Sequence, residues 1–570
     1  MFSGVNASRG IGIGSICLIK DPDLEFDSCP VQDVEVEKTR FSEAVDKFKE
    51  NTARSMEEVR KNMGSKEAAI LEGHLSMIGD PAMVGEITKM IEMGQRAESA
   101  LTAVCDMFIG MFSQIEDEMM RQRASDISDV KMSVLKILMG VEEVDIAAVP
   151  PGTVLVAHDL TPSMTAQIVK DNVVGIITEV GGKTSHSAIL ARSLEIPAVL
   201  SVENITEIVN DKDTAIVDGT EGEVYINPDG DVISRYVLKR EEFVRSEAEL
   251  RSFLNKDTVT ADGTRVDLFC NIGTARDAVR VTEHDGEGVG LFRSEFLFMD
   301  KASLPDEEEQ FEAYKHAAEV LDGKTVIIRT LDIGGDKDIP YLGLEKEDNP
   351  FLGYRAVRYC LGNSEIYKSQ LRAILRAGAF GNVKIMIPLV TCVEEVRSVK
   401  ALVEECKNEL ASEGKEFDAN MDVGCMIETA AASLIADLMA KEADFFSIGT
   451  NDLTQYTMSV DRGNEKVSYL YSTYQPAVLR SIKNIIEEGK RAGIPVGMCG
   501  ESAADPLLIP LLISFGLDEY SVNPALVLST RCTISKWSKE KADELASRVM
   551  GMATEEEVVA ALKEAAGSIS

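Results

Sequence analysis

One histidine sits in a setting that favours phosphoryl chemistry. His186 lies in Gly181-Gly-Lys-Thr-Ser-His-Ser-Ala-Ile-Leu-Ala-Arg-Ser-Leu194, after the apolar run Val173–Ile177. That run reads as a strand. Ser187–Leu194 reads as a short helix stopped near Pro197. His186 therefore stands where a glycine-rich loop turns into a helix N-terminus, facing free N–H groups and the positive end of the dipole. Such a place disfavours an imidazolium. It leaves a neutral, nucleophilic ring and welcomes an anion bound to it, such as a phosphoryl group. Thr184, Ser185 and Ser187 add hydroxyl donors. A lone histidine at a turn is more often a cap or a packed residue, so the whole string has to carry the assignment.

A second group of reactive side chains ends successive apolar runs: Arg293 and Glu295, Arg329 and Asp332, Glu428, Asn451 and Asp452, Cys499 and Glu501. If these runs are barrel strands, their polar ends share one mouth. Two arginines, carboxylates, an amide and a thiol suit a small, doubly anionic substrate, because guanidinium groups grip phosphate and carboxylate in pairs. Glu428 and Asp452 are candidate oxygen ligands for Mg²⁺, which keeps waters and bridges to phosphate. The competing reading is that these arginines and acids only neutralise one another. Cys499 is either a buried core thiol or, beside Gly500, a proton carrier.

The elements that must position these groups follow from periodicity. Residues 1–20 read as a strand or two. Between 33 and 145, apolar residues recur at three- and four-residue spacing over Val34–Asn62, Ser65–Ile78, Pro81–Met93, Ala97–Ala124 and Asp126–Met139, a bundle of about four helices. Strand signals return at Thr153–Ala157, Val173–Thr178, Ala198–Val202, Thr214–Asp218 and Glu223–Asn227, with a helix start at Asp159–Gln167. Residues 231–256 read as a long charged helix. Strands and helices then alternate, with strands expected at Val266–Ile272, Gly288–Arg293, Thr325–Arg329, Lys384–Pro388, Val423–Glu428, Phe445–Gly449 and Val496–Cys499, and a weaker eighth near Phe351–Arg358. Helices are expected after Glu394, Leu434 and Ala477, and over Thr554–Ala566. The predicted architecture is multidomain α/β. Residues 1–20 plus 145–230 form one α/β domain, interrupted by an all-α bundle at 21–144. A helical linker covers 231–258 and a (β/α)8 barrel covers 259–570.

The net charge of −37 and a pI near 4.6 argue against nucleic-acid backbones and anionic membranes, and favour a basic partner. No run of about 18 apolar residues predicts a membrane helix, and Met1–Gly10 lacks the apolar core of a signal peptide. The cysteines are scattered with no CxxC pair, which excludes a zinc or dithiol motif of that kind and suits a reducing cytoplasm. With only five histidines, multi-histidine metal sites are not expected.

Long strings of this chain closely resemble enzyme I of the bacterial sugar phosphotransferase system, within the phosphoenolpyruvate-utilising phosphotransferases. They are DLTPSMTAQ, GGKTSHSAILARSLEIPAV, GVGLFRSEFLFM, IIRTLDIGGDK, NPFLGYRAVR, ADFFSIGTNDLTQYTMSVDRGN and PVGMCGE. The resemblance runs from the first residues to about 535. It implies that phosphoenolpyruvate and Mg²⁺ bind at the barrel mouth, that His186 takes the phosphoryl group, and that it passes to a histidine of the carrier HPr. It implies Cys499 as proton donor to the enolate carbon and Glu428 and Asp452 as metal ligands. Arg293 and Arg329 would grip the phosphate, with Asn451, Asp452 and Arg462 completing the substrate site. Thr165 would orient His186, Arg192 would support the loop, and Arg355 and Arg358 are secondary candidates. It further implies HPr docking on the helical bundle, a homodimer formed through the barrel, and a swivelling cycle about the linker.

Some positions depart from the family pattern. Met164 stands where an acid is common, Lys183 replaces an arginine, Thr429-Ala430 replaces a proline-containing turn, and Arg9 replaces a proline. Three alternatives stay open on sequence alone: a nucleotide-dependent dikinase of the same superfamily, a paralogue with a different carrier, and a non-catalytic regulator. No glycine-rich nucleotide cradle precedes His186, and the reacting groups are all present.

Overall fold

The computed structural model describes residues 1–19, 26, 31, 33–62, 65–113, 118–141, 146–160, 162–165, 168–182, 185–299, 301, 303–334 and 339–569; at a few helical positions, His186 among them, only the backbone is described. Two units follow in the chain, Met1–Glu247 and Ala248–Ser570.

The first unit is built on an eight-stranded mixed sheet. Its strands are β1 (Phe2–Ser3), β2 (Val5–Ser8), β3 (Ile11–Ile19), β4 (Thr153–Ala157), β5 (Val173–Thr178), β6 (Ala198–Leu200), β7 (Thr214–Asp218) and β8 (Glu223–Ile226). The order across the sheet is β1-β8-β7-β3-β4-β5-β6-β2, parallel from β3 to β6 and antiparallel on either side. The N-terminal stretch thus supplies three strands rather than the one or two expected. Both faces of β4 are covered: Leu155 and Ala157 pack with Ala188 and Ala191, while Val154 and Val156 pack with Val199 and Val217. Such burial reads as the continuous apolar run Val-Leu-Val.

Between β3 and β4 lie helices Val34–Asn62, Ser65–Ile78, Pro81–Glu92, Ala97–Ser113 and Glu118–Met139. Five are present among the described residues, not four. The last helix runs unbroken through Ala124 and Asp126, where periodicity alone predicts two segments meeting. Its apolar stripe, Ile127, Val130, Val134 and Leu135, is buried in the same core as Ile87, Leu101 and Val104. Each such aliphatic side chain contributes roughly 1.5–3 kcal/mol on burial.

The charged helix is Gly230–Arg251. The second unit then closes a barrel of eight parallel strands: β9 (Asp267–Ile272), β10 (Val289–Arg293), β11 (Val326–Arg329), β12 (Val383–Ile387), β13 (Val423–Ile427), β14 (Phe446–Ile448), β15 (Val496–Met498) and β16 (Glu519–Val522). The eighth strand is therefore Glu519–Val522, not the stretch near Phe351–Arg358. That stretch forms a 3-10 turn at Pro350–Leu352 and enters a helix at Val357. Helices Val393–Glu413 and Pro476–Ala492 occupy expected gaps. Around Leu434 the chain instead forms two short helices, Ala430–Leu434 and Ala436–Met439. The terminal helix Glu555–Gly567 starts in a capping box of Thr554 with Glu557.

The barrel interior is filled, not hollow. Leu291, Ile327, Met386, Met426, Phe445 and Cys499 form one buried cluster inside it. A carboxylate shares this interior: the space beside Gly290 and Gly497, where a side chain would otherwise stand, is taken by Glu519. Burial, with Asp267 and Asp518 adding to it and Lys384 opposing, pushes the Glu519 carboxyl up to about 8. The folded chain therefore holds this proton at pH values where the unfolded chain, near 4.5, has lost it. Stability contributed by this group is present below about 4.5 and is lost as pH rises toward 8, by up to about 1.4 kcal/mol per pH unit. Glu519→Gln, which needs no proton, is expected to flatten that slope. Thermal melts from pH 5 to 9 should show the variant gaining on the wild type as pH rises, and parallel curves would contradict the assignment.

Candidate active site

The helix that begins at His186 is held by its neighbours. The helix His186–Ser193 begins one residue earlier than the sequence predicts, with Ser185 as its cap; the Ala188 N–H donates to Ser185 Oγ at 3.3 Å. One of the N–H groups expected to be free is thus engaged, and Ser185 serves as an acceptor. Ser187 is buried and turned inward, donating to Asp159 Oδ1 at 2.9 Å, so it is not a donor at the loop surface. Ala188 and Ala191 pin the helix to the sheet, and Arg192 donates to the Ala7 carbonyl on β2 at 3.1 Å. Thr165 is buried at the end of the short helix Pro162–Thr165. Met164 packs against the core that includes Leu155 and Ala188, which gives an apolar residue a reason to stand there. The His186 side chain, Lys183 and Thr184 lie outside the described residues.

In the barrel, strand ends converge as the spacing predicts, and the charges they carry form a buried network. Arg329, ending β11, donates to Glu295 at 2.5 Å and lies 3.1 Å from Asp332. Burial opposes its charge, but Glu295 and Asp332 more than restore it, so the guanidinium is held firmly cationic. Arg355 bridges Asp332 at 2.9 Å and Asp452 at 3.1 Å, and also meets the Tyr456 hydroxyl at 3.3 Å. Arg462 approaches the other Asp452 oxygen at 3.6 Å. The mutual neutralisation weighed from sequence is therefore real for Arg329, Arg355 and Arg462. Glu295, Asp332 and Arg355 are more central than sequence reasoning made them, because nothing in the sequence shows which loop folds back into the mouth.

That fold-back rests on strained backbone. Ala356 has φ +50° and Leu389 has φ +56°, both unfavourable for residues with a Cβ. Gly334 lets Arg355 in, since a Cβ there would come within 2.7 Å of the Arg355 Cβ. Leu389 donates its N–H to Glu428 Oε1 at 2.7 Å. At Gly449 a Cβ would sit 2.4 Å from Glu428 Oε2. Burial, reinforced by Asp452 and Asp332, pushes the Glu428 carboxyl up to about 8. Asp452 lies in the first turn of helix Thr450–Met458 with Asn451, whose carbonyl accepts from the Tyr471 hydroxyl at 3.2 Å.

Arg293 ends β10 and, among the described residues, has no ion-pair partner. It lines a cavity of about 450 Å³ with Asn271, Arg280, Phe296, Gly500 and Asn523. Arg280 and Asn271 do not stand out in the sequence. Cys499 is buried beside this cavity, and burial pushes its thiol up to about 11. It therefore remains S–H at neutral pH, able to donate a proton but not poised as a thiolate. Arg358 is not at the mouth: it donates to the Leu352 and Gly353 carbonyls at 3.0 Å each and braces the turn before Arg355.

Removing the Arg355 head group leaves Asp332, Asp452 and Glu428 buried without their shared cation. Arg355→Ala should therefore cost about 3–5 kcal/mol in denaturant unfolding. Arg358→Ala, which loses only bonds to backbone carbonyls, should cost about 1–3 kcal/mol. Equal losses would contradict this division of roles between the two arginines.

Three family models match in sequence order: "PEP-utilising enzyme, N-terminal" over residues 3–123, "PEP-utilising enzyme, mobile domain" over 149–222, and "PEP-utilising enzyme, PEP-binding domain" over 247–539. The chain is similar over nearly its whole length to proteins named phosphoenolpyruvate-protein phosphotransferase. The one from Staphylococcus carnosus is 46% identical, covering 98% of this chain and 98% of that one. The one from Bacillus subtilis is 45% identical, covering 98% and 99%. The one from Listeria monocytogenes is 45% identical, covering 98% and 97%. With all three family models matched in order and the likeness to named relatives covering 98% of it, the chain belongs to the phosphoenolpyruvate-protein phosphotransferase family of phosphoenolpyruvate-utilising enzymes.

Proposed function

We propose that the chain moves the phosphoryl group of phosphoenolpyruvate onto His186 and then onto a histidine of the carrier protein HPr, releasing pyruvate as the first step of sugar phosphotransfer. One observation carries the reading: buried Arg329, Glu428 and Asp452 converge at the barrel mouth beside a thiol kept protonated and an arginine that has no ion-pair partner among the described residues. Transfer of this kind needs positioning and charge neutralisation more than covalent help.

Arg293 and Arg329 take the phosphate, and Asn451 and Arg462 complete the substrate site. The donor set fits Mg²⁺. Glu428 and Asp452 offer hard oxygen ligands, and their mutual repulsion, visible in the raised Glu428 carboxyl, is what a cation would relieve. Glu428 and Asp452 would hold the ion, which would supply positive charge to the transferring phosphoryl group. His186 attacks phosphorus and the bridging P–O bond breaks, leaving the pyruvate enolate. The Cys499 S–H bond then breaks as a C–H bond forms at the methylene carbon, the enolate oxygen becomes the ketone, and the thiolate regains its proton from solvent. Thr165 orients the imidazole, and Arg192 and the Ser185 cap steady its helix.

The net charge of −37 supports a basic carrier, and exposed Met93, Met107 and Met111 give the helical bundle an adaptable surface for it. The described cysteines are free thiols, and no described helix is long and apolar enough to cross a membrane; both support a cytoplasmic setting. Homodimerisation through the barrel rests on the family likeness alone.

Incubation with labelled phosphoenolpyruvate and Mg²⁺ should give an acid-labile, base-stable label that drains onto added HPr. Label retained in the presence of HPr would point to another carrier. His186→Ala should abolish labelling with the fold intact, and persistent label in that variant would sink the assignment. Cys499→Ala should still accept the phosphoryl group but turn over on the order of 100-fold more slowly, the usual worth of a positioned proton donor.

A further inference from the structure

Cys499 stands just past the end of its strand. The ladder between β15 and β16 carries only the pairs Gly497 with Glu519 and Met498 with Tyr520, so it stops one residue short of Cys499. On the β14 side the Cys499 N–H donates to the Ile448 carbonyl at 3.1 Å, and the thiol donates to the same oxygen at 3.8 Å. On the other side, among the described residues, the strand ladder does not reach it. Asn271, two strands away on β9, closes that gap. Its side-chain amide donates to the Cys499 carbonyl at 2.9 Å and to the Ser521 carbonyl at 3.2 Å, spanning β16. Its own orientation is set from below, because Ser521 Oγ donates to Asn271 Oδ1 at 2.7 Å. Asn271 also faces the cavity that Arg293 lines.

We infer that Asn271 is a positioning residue for proton transfer by Cys499. It holds the Cys499 carbonyl where the strand ladder no longer can, and so fixes where the Cys499 thiol stands at the barrel mouth. Ser521 is the residue that keeps the amide turned the right way. This rests on the reading of Cys499 as proton donor. It predicts that the two halves of the reaction separate, since phosphoryl transfer uses groups on other strands.

Two readouts test it on the full-length chain: single-turnover phosphorylation by phosphoenolpyruvate, and exchange of the pyruvate methyl protons in D₂O, which reports C–H bond breaking and remaking apart from phosphoryl transfer. Asn271→Ala should slow exchange by about 10- to 100-fold, the usual cost of misplacing a reacting group by about an ångström, with phosphorylation and KM changed less than about threefold. Ser521→Ala should shift exchange the same way by a smaller factor, and Ser521→Thr, which keeps the hydroxyl, should restore it. If Asn271→Ala does not fold, the Ser521 pair carries the same test. Equal loss of both half-reactions, or unchanged exchange in a folded Asn271→Ala, would overturn the inference. Cys499→Ala separates the two levels of argument. If it retains exchange, the proton-donor reading itself falls; if it loses exchange while Asn271→Ala does not, only the role of Asn271 falls.

Discussion

The second unit is organised around one electrostatic constraint: several carboxylates buried together at one end of a barrel. Glu295, Asp332, Glu428 and Asp452 cannot all be ionised in a dry mouth without cations among them. Arg329 and Arg355 supply those cations, each held by two acids. The arrangement leaves Glu428 as the acid whose charge is least compensated. It also leaves Arg293 unpaired among the described residues, facing open space. On the proposed reading, Glu428 is where an added cation would be welcome and Arg293 where an added anion would be.

The backbone is bent to meet that constraint. Leu389 and Ala356 both adopt left-handed angles, and each is adjacent to a charged group of the network: Leu389 through its N–H to Glu428, Ala356 as the neighbour of Arg355. Strain of this kind persists only where surrounding structure enforces it. The enforcement includes Arg358 on the carbonyls of Leu352 and Gly353, and the Tyr456 hydroxyl on that of Phe351. Arg358 thus matters to the site without touching it.

The sequence made the barrel legible because most strands are short apolar runs ended by a charged or polar residue. It misplaced the eighth strand for a physical reason. Glu519-Tyr-Ser-Val522 carries a carboxylate and a hydroxyl on its inward positions, so its pattern is that of a surface segment although all four residues are buried. The stretch that competes with it, Phe351–Arg358, is a short partly apolar run, but it forms a turn that delivers Arg355. Which residues gather at the mouth was largely readable from strand ends. Its pairings were not, because Arg355 arrives from a loop and Asn271 acts across a strand, and neither distance is written in local spacing. The loop around His186 was readable as strand, turn and helix. The inward turn of Ser187 toward Asp159 depends on a residue 28 positions earlier.

The Glu519 carboxylate occupies the room that side chains at Gly290 and Gly497 would need. These three positions, on β16, β10 and β15 of the barrel wall, therefore share a single volume. A larger residue at either glycine is tolerable only in a chain whose acid has already been shortened, and a shortened acid alone opens a hole that the glycines cannot fill. Neutral drift in side-chain size should be unable to visit these sites one at a time. Among descendants of this sequence, changes of size at the three positions should come together, a case of epistasis set by shared volume.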